Sequence, residues 1–335
     1  MIKISIIGAG SWGTALSILL SNNGHEVSVW SIDESEIKML TEHREHKQKL
    51  PGITIPDNVS FTTNLEESLK NSKVVVFAIP SDKTRETANK ISHYINKTTV
   101  IVACSKGIEE DTGLRLSQVI EQESGASRVV TLLGPSHAEE VALGLPTTVV
   151  SASKHRKDAE FVQDIFMSSR FRVYTNSDIA GVELGAALKN VIALCCGIVD
   201  GLGYGDNCKA ALMTRGLTEI ARLGKAMGAS SKTFSGLTGM GDLIVTCTSK
   251  HSRNWKAGFL IGKGMTLGEA LDEVKMVVEG VTAAKAAHKL SRKYDISMPI
   301  VEQACQILFN EKPPEEAVNS LMGRSKKNEI EDAGW

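Results

Sequence analysis

The first seventeen residues, MIKISIIGAGSWGTALS, constrain what this chain can fold into more than any other stretch. Ile2 to Ile7 is a short apolar run with β-branched residues at most positions, which predicts a buried strand. It ends in Gly8-Ala9-Gly10-Ser11-Trp12-Gly13, and an apolar pattern of helical period follows through Leu16, Ile18, Leu19 and Leu20. Strand, G-x-G-x-x-G and helix in immediate succession form the dinucleotide-binding fingerprint. Gly8 allows the tight turn, Gly10 lets backbone approach a pyrophosphate, and Gly13 lets helix and strand pack closely. The helix then offers unpaired N–H groups and a positive dipole end to the anion.

With 335 residues the chain is long enough for two units, each with its own core. Lys and Arg total 38 against 39 for Asp and Glu, a formal net charge of −1, so there is no global pull toward nucleic acid or membrane. The six cysteines show no C-x-x-C spacing and no secretory leader precedes them, which predicts reduced thiols in a cytoplasmic protein. No metal-ligand spacing stands out among the histidines, so no metal is expected. No apolar run is expected to reach the length of a membrane span.

Along the chain, further strands are predicted at Glu26 to Trp30, Val59 to Thr62, Val74 to Ile79, Thr99 to Ala103 and Val129 to Leu133, with final ones at Pro146 to Ala152 and Phe171 to Thr175. Gly24 ends the first helix. Asp33 with Glu36 forms a capping-box-like start to the second, and helical stretches fall near 84–95 and 113–123. Strands alternating with helices imply a parallel sheet with right-handed crossovers. Near Asp178 the texture changes. From there on only helical patterns occur, at 178–200, 206–227, 253–262, 266–275, 280–293, 299–309 and 314–321, and the first is apolar nearly all round. The fold class is therefore α/β, a dinucleotide-binding parallel-sheet domain over 1–177 followed by an all-helical domain over 178–335, with the chemistry at their interface, outside the carboxyl ends of the strands.

Lys189 is the most informative single residue. It is the only charge between Leu184 and Val199, and burying an ammonium pulls its pKa down toward the range useful for proton transfer. The other reading is a snorkelling or structurally paired lysine. Lys106 follows a strand, where ligands of α/β proteins bind, or is an exposed loop residue. If both faced one substrate, repulsion would depress the more buried one further. Gly236-Leu-Thr-Gly239-Met-Gly241-Asp242 is dense in glycine, which predicts close approach of backbone to something. Asp242 would pair with a catalytic lysine, or would cap a helix. Ser252-Arg253-Asn254 sets a hydroxyl, a guanidinium fork and an amide side by side, which suits a phosphate or an ordinary helix start.

Taken together, G-A-G-S-W-G-T-A, S-K-G at 105–107, G-P-S at 134–136, G-A-A-L-K-N at 185–190, G-D-L at 241–243 and S-R-N at 252–254 resemble the bacterial NAD(P)-dependent glycerol-3-phosphate dehydrogenase family, over nearly the whole chain. The resemblance implies a Rossmann-like domain followed by a helical one, laid out as in 6-phosphogluconate dehydrogenases. It implies an oxidoreductase that interconverts dihydroxyacetone phosphate and sn-glycerol 3-phosphate for phospholipid synthesis, with NAD or NADP as cofactor. Lys189 would protonate the C2 oxygen, Lys106 would polarise the substrate and touch the cofactor, and Asp242 would hold the lysine. Gly134, Ser136, Asn190, Ser252, Arg253 and Asn254 would bind the substrate. Gly8, Gly10, Ser11, Trp12, Gly13, Ala138, Arg253, Val277 and Glu279 would form the cofactor site. A homodimer is implied by resemblance alone. The chain departs from the family after the second strand, where a polar or basic residue often stands near the ribose 2′ position and this sequence has Ser31-Ile32-Asp33. A β-hydroxyacid or 6-phosphogluconate-type dehydrogenase is the rival reading, and a nucleotide-sensing protein without turnover is the other.

Overall fold

A computed structural model describes residues 1–326, 328 and 329; the remaining positions of the span 178–335 lie outside the described residues. The strands are β1 (Lys3–Ile7), β2 (Glu26–Trp30), β3 (Val59–Thr62), β4 (Val74–Phe77), β5 (Val100–Ala103), β6 (Val129–Leu133), β7 (Thr147–Ala152) and β8 (Phe171–Asn176). They form one sheet in the order β3-β2-β1-β4-β5-β6-β7-β8. β1 lies between β2 and β4, both parallel to it, so the chain reverses its direction of travel across the sheet beside the glycine turn. That reversal opens a crevice at the carboxyl ends of the strands. The strands read as continuous apolar runs because helices cover both faces, and two clusters of buried residues, one around Ile4, Ile6 and Val76 and one around Ile7, Val75 and Phe77, fill the two sides.

The sheet is not wholly parallel, as the alternation of strands and helices predicts. β7 runs antiparallel to β6 and parallel to β8. The reason is length. The only helix between β6 and β7 is Ala138–Ala142, five residues. It rises about 7 Å, far short of the roughly 20 Å needed to carry the chain back along a strand. The eleven-residue helix Arg156–Phe166 does manage the return before β8. Short helices at Leu65–Leu69 and Ser231–Phe234 lack a sequence signal, being too brief to show a period, while Asp242–Thr248 is the helix that a capping Asp242 predicts. The helices expected at 84–95 and 113–123 are shorter, Thr84–Ile91 and Leu116–Ser124. Asp33 caps its helix by accepting from the N–H groups of Ser35 and Glu36, but Glu36 does not complete the box. Its side chain turns inward to Ser31, His46 and Lys49.

After β8 the described chain is helical. Its centre is the 23-residue helix Ile179–Gly201, capped by Asp178, which accepts from Gly181 N at 2.9 Å. That helix is long and apolar enough to span a membrane, contrary to the expectation that no run approaches that length, and it is wholly buried within the fold. Other helices supply the apolar surroundings that lipid would. The helix Arg253–Gly262 lies almost backbone to backbone against it. A Cβ on Gly258 would meet Leu194 O at 1.9 Å, and one on Gly197 would meet Trp255 O at 2.1 Å. Cys195, Cys196, Cys247 and Cys305 are free thiols packed in this core. The sheet meets the long helix through Leu133, Val150 and Ala152 against Ile179, Val182 and Ala186. Buried Glu183 adds a polar tie, accepting from Ser117 N at 2.8 Å and Ser117 Oγ at 2.6 Å and pairing with Arg115.

Candidate active site

Two strand ends and three helical elements converge on one cluster of charge. The chain leaves β5 through Cys104-Ser105-Lys106 and β6 through Gly134-Pro135-Ser136, while the middle of the long helix presents Lys189 and Asn190. Opposite them stands the helix Asp242–Thr248, which follows a π-helical turn at Leu237–Gly241. Gly185, one turn before Lys189, lets this turn approach, since a Cβ there would meet Thr238 O at 2.7 Å. The glycines around it serve the chain's own backbone, and a Cβ on Gly239 would meet Phe234 O at 2.0 Å. The close approach expected from that glycine density is thus internal packing.

Asp242, 1 % exposed, binds both lysines. Its Oδ1 lies 2.9 Å from Lys189 Nζ and its Oδ2 lies 2.8 Å from Lys106 Nζ. Lys189, 4 % exposed, also donates to Thr246 Oγ1, and that hydroxyl donates to Asp242 O at 2.7 Å. Lys106 donates to Gly134 O at 2.9 Å, as does Ser136 Oγ at 3.0 Å. Burial pulls the Lys189 ammonium down to about 8, Asp242 opposes the fall and Lys106 adds to it. Two ammonium groups thus share one carboxylate, and the more buried one titrates near neutrality. Asp242 is the first residue of its helix, whose cap position is Gly241.

The Ser252-Arg253-Asn254 triplet divides. Ser252 is buried and caps the helix Arg253–Gly262 by accepting from Trp255 N at 3.2 Å. Asn254 donates to Asn190 Oδ1 at 3.1 Å and accepts from Gly280 N at 2.8 Å, so its amide joins three helices. Arg253 is exposed and makes no ion pair with any described residue. Its guanidinium is the free cation of the triplet, suited to an incoming dianion.

At the glycine turn, Gly8 has φ +109°, and a Cβ there would meet Ala78 O at 2.5 Å. A Cβ on Gly13 would meet Gly8 O at 1.9 Å, which fixes helix against strand. Gly10 instead faces open space, with nothing within 4 Å of where its Cβ would be. The helix Ser11–Asn22 that starts here has no side-chain cap and no acid in its first turn. An uncapped N-terminus above an open glycine fits a pyrophosphate. Trp12 packs half-buried on the sheet core, and Ala138 is buried on the short helix that packs against this first one. Glu279 spends its carboxylate on Ser81, accepting from N at 3.1 Å and Oγ at 2.5 Å. Val277 is exposed two residues away.

Thr246, Ser81 and His137 carry no sequence signal as site residues. Thr246 was findable only as one helical turn beyond Asp242. His137 has a buried Nε2 without a hydrogen bond among the described residues, and burial first, then Lys106 and Lys189, lower its pKa. No cluster of three or more metal-ligating side chains occurs among the described residues.

The family descriptions "NAD-dependent glycerol-3-phosphate dehydrogenase N-terminus" and "C-terminus" match residues 3–159 and 178–319. Among curated proteins, the chain is 56 % identical to a glycerol-3-phosphate dehydrogenase [NAD(P)+] of Agathobacter rectalis, covering 100 % of both chains. It is 53 % identical to the Bacillus subtilis enzyme of that name, over 99 % of this chain and 97 % of that one. A solved glycerol-3-phosphate dehydrogenase from Coxiella burnetii superposes with a TM-score of 0.93 at 35 % identity, covering 96 % of this chain and 99 % of that one.

Proposed function

This chain belongs to the NAD-dependent glycerol-3-phosphate dehydrogenase family and is an oxidoreductase that interconverts sn-glycerol 3-phosphate and dihydroxyacetone phosphate with NAD(P), and we propose that Lys189 moves the proton. The observation that carries this reading is the single buried carboxylate of Asp242 bridging Lys189 and Lys106. A dinucleotide held at the glycine turn would donate a hydride to C2 in the reductive direction and accept one from C2 in the oxidative direction. Every other task falls to the chain. Lys189, with its pKa near 8, arrives mostly protonated at neutral pH and donates to the oxygen on C2 as charge develops there. In the oxidative direction its neutral form takes that proton back. Asp242 keeps the two ammonium groups together against their repulsion and Thr246 fixes the lysine's direction. In this reading Lys106 polarises the C2 oxygen, a role supported by its pairing with Asp242 and its bond to Gly134 O. Arg253 grips the phosphate, so binding energy from a non-reacting group orients the reacting one. Ser136, Ser252, Asn190 and Asn254 shape the floor beneath the substrate. Gly8, Gly10, Ser11, Trp12, Gly13, Ala138, Val277 and Glu279 form the cofactor's side.

The same reading divides the chain into a nucleotide-binding unit, 1–177, and a substrate-binding helical unit, 178–335. It places the enzyme in the cytoplasm as a homodimer supplying glycerol 3-phosphate for phospholipid synthesis, supported by the family resemblance. The test is Lys189→Ala. A lost general acid lowers kcat by about 10²–10⁴-fold, while NADH binding to the variant, read by tryptophan quenching, stays within about twofold. Near-normal kcat would remove Lys189 from the mechanism.

A further inference from the structure

In a sheet of this order, the residues just past the carboxyl end of β2 face the ribose 2′ position, where an acid reads a free hydroxyl and an arginine a phosphate. Here they are Ser31, Ile32 and Asp33. Ser31 is buried, and its hydroxyl donates to Glu36 Oε2 at 2.7 Å. The other oxygen of Glu36 holds Lys49 Nζ at 2.5 Å and His46 Nε2 at 3.0 Å. Burial alone would raise the Glu36 carboxyl, but hydrogen bonds from His46, Lys49 and Ser31 and the charge of Lys49 bring it down to about 2. Lys49 is therefore committed to Glu36. Lys49 can serve a phosphate only by deserting a buried carboxylate, which is costly. Arg44 is held by Val59 O at 2.9 Å and by Pro56 O, with its guanidinium 5.0 Å above the Phe61 ring.

The helix start is committed too. Asp33 Oδ1 accepts from Ser35 N at 2.9 Å, Ser35 Oγ at 2.6 Å and Glu36 N at 3.1 Å, which satisfies the N–H groups a phosphate would seek. Its Oδ2 accepts no hydrogen bond from any described residue, and the side chain is exposed. The hydrogen bonds to Ser35 and Glu36 lower the Asp33 pKa, so the carboxylate stays ionised. Ile32 beside it is exposed and brings no charge.

We propose that this corner reads a free ribose 2′-hydroxyl, with Asp33 Oδ2 as its acceptor, and that the enzyme uses NAD(H) in preference to NADP(H). The proposal rests on the dinucleotide-binding reading given above. A 2′-phosphate would bring about two negative charges against an ionised carboxylate, while Lys49 and Arg44 are already held by Glu36 and by the carbonyls of Val59 and Pro56.

The test is calorimetric titration of the purified protein, without substrate, with NADH and with NADPH. NADH should bind on the order of tenfold more tightly or better. Asp33→Asn keeps a good helix cap and removes the charge, so it should narrow the ratio by about threefold or more. Ile32→Arg, at an exposed position, should raise NADPH affinity on the order of tenfold and leave NADH binding within about twofold. NADPH binding as tightly as NADH to the unaltered protein overturns the preference while leaving the dinucleotide site standing. An unchanged ratio in Asp33→Asn overturns the role of Asp33. Binding of neither dinucleotide removes the site and the preference together.

Discussion

Replacing Asp242 by Asn tests the electrostatic design of the site. The amide keeps the shape and a hydrogen-bond acceptor but deletes the charge that two lysines share. A unit charge 2.9 Å from Lys189 Nζ is worth about 6 kcal/mol at an effective dielectric near 20, or about four pKa units. Relaxation and entering water return part of that, so a fall of about two units, from near 8 to near 6, is the expectation. At pH 7.5 a group with a pKa of about 8 is about three-quarters protonated, and one at about 6 is about 3 % protonated. Reduction of dihydroxyacetone phosphate needs the ammonium, so kcat/KM falls as pH rises through the Lys189 pKa. The midpoint of that fall should move from about pH 8 to about pH 6 in the variant, costing about 25-fold at pH 7.5 and much less at pH 5.5. Oxidation of glycerol 3-phosphate needs the neutral amine, so its acid limb should move by the same amount. Both directions are followed by nicotinamide absorbance across pH 5 to 9.5. A uniform loss of rate with both midpoints still near 8 would refute the tuning argument and leave Asp242 a purely geometric role.

Arg253→Ala should raise KM for glycerol 3-phosphate by about 10- to 100-fold while kcat changes by only a few fold, because a charge-assisted phosphate contact is lost. An unchanged KM would exclude the phosphate grip. Glu219, buried and accepting from Ile300 N at 2.9 Å, has its carboxyl raised to about 7, chiefly by burial. A raised acid favours its protonated form in the fold, so its stabilising effect is fully present below about pH 4.5 and is lost as pH climbs through about 7, at most roughly 3 kcal/mol. Urea unfolding midpoints at pH 5 and pH 8 should therefore differ less in Glu219→Gln than in the unaltered protein. Equal slopes in the two would contradict this.

Much of this molecule is written in local order. The run from Ile2 to Gly13, the apolar strands at Val74 and Val129 and the lone charge between Leu184 and Val199 are short-range patterns, and short-range patterns survive in a string of letters. They determined the nucleotide-binding half of the sheet, the helical remainder and Lys189 as the residue to watch. Direction and partnership needed three dimensions. Only the short Ala138–Ala142 connection reversed β7, and that depends on how far a five-residue helix reaches along a sheet. The letters around Asp242 allowed a cap or a lysine partner. It took glycine packing at Gly185 and Gly239 to bring that carboxylate between two ammonium groups more than fifty residues away in the chain. Likewise Ser252-Arg253-Asn254 reads as a phosphate grip or a helix start, and the fold spends Ser252 on a local cap and Asn254 on contacts with Asn190 and Gly280, leaving Arg253 without an ion pair to any described residue. Burial and hydrogen-bond competition between distant segments decide which polar group is available, and no window of neighbouring residues contains that information.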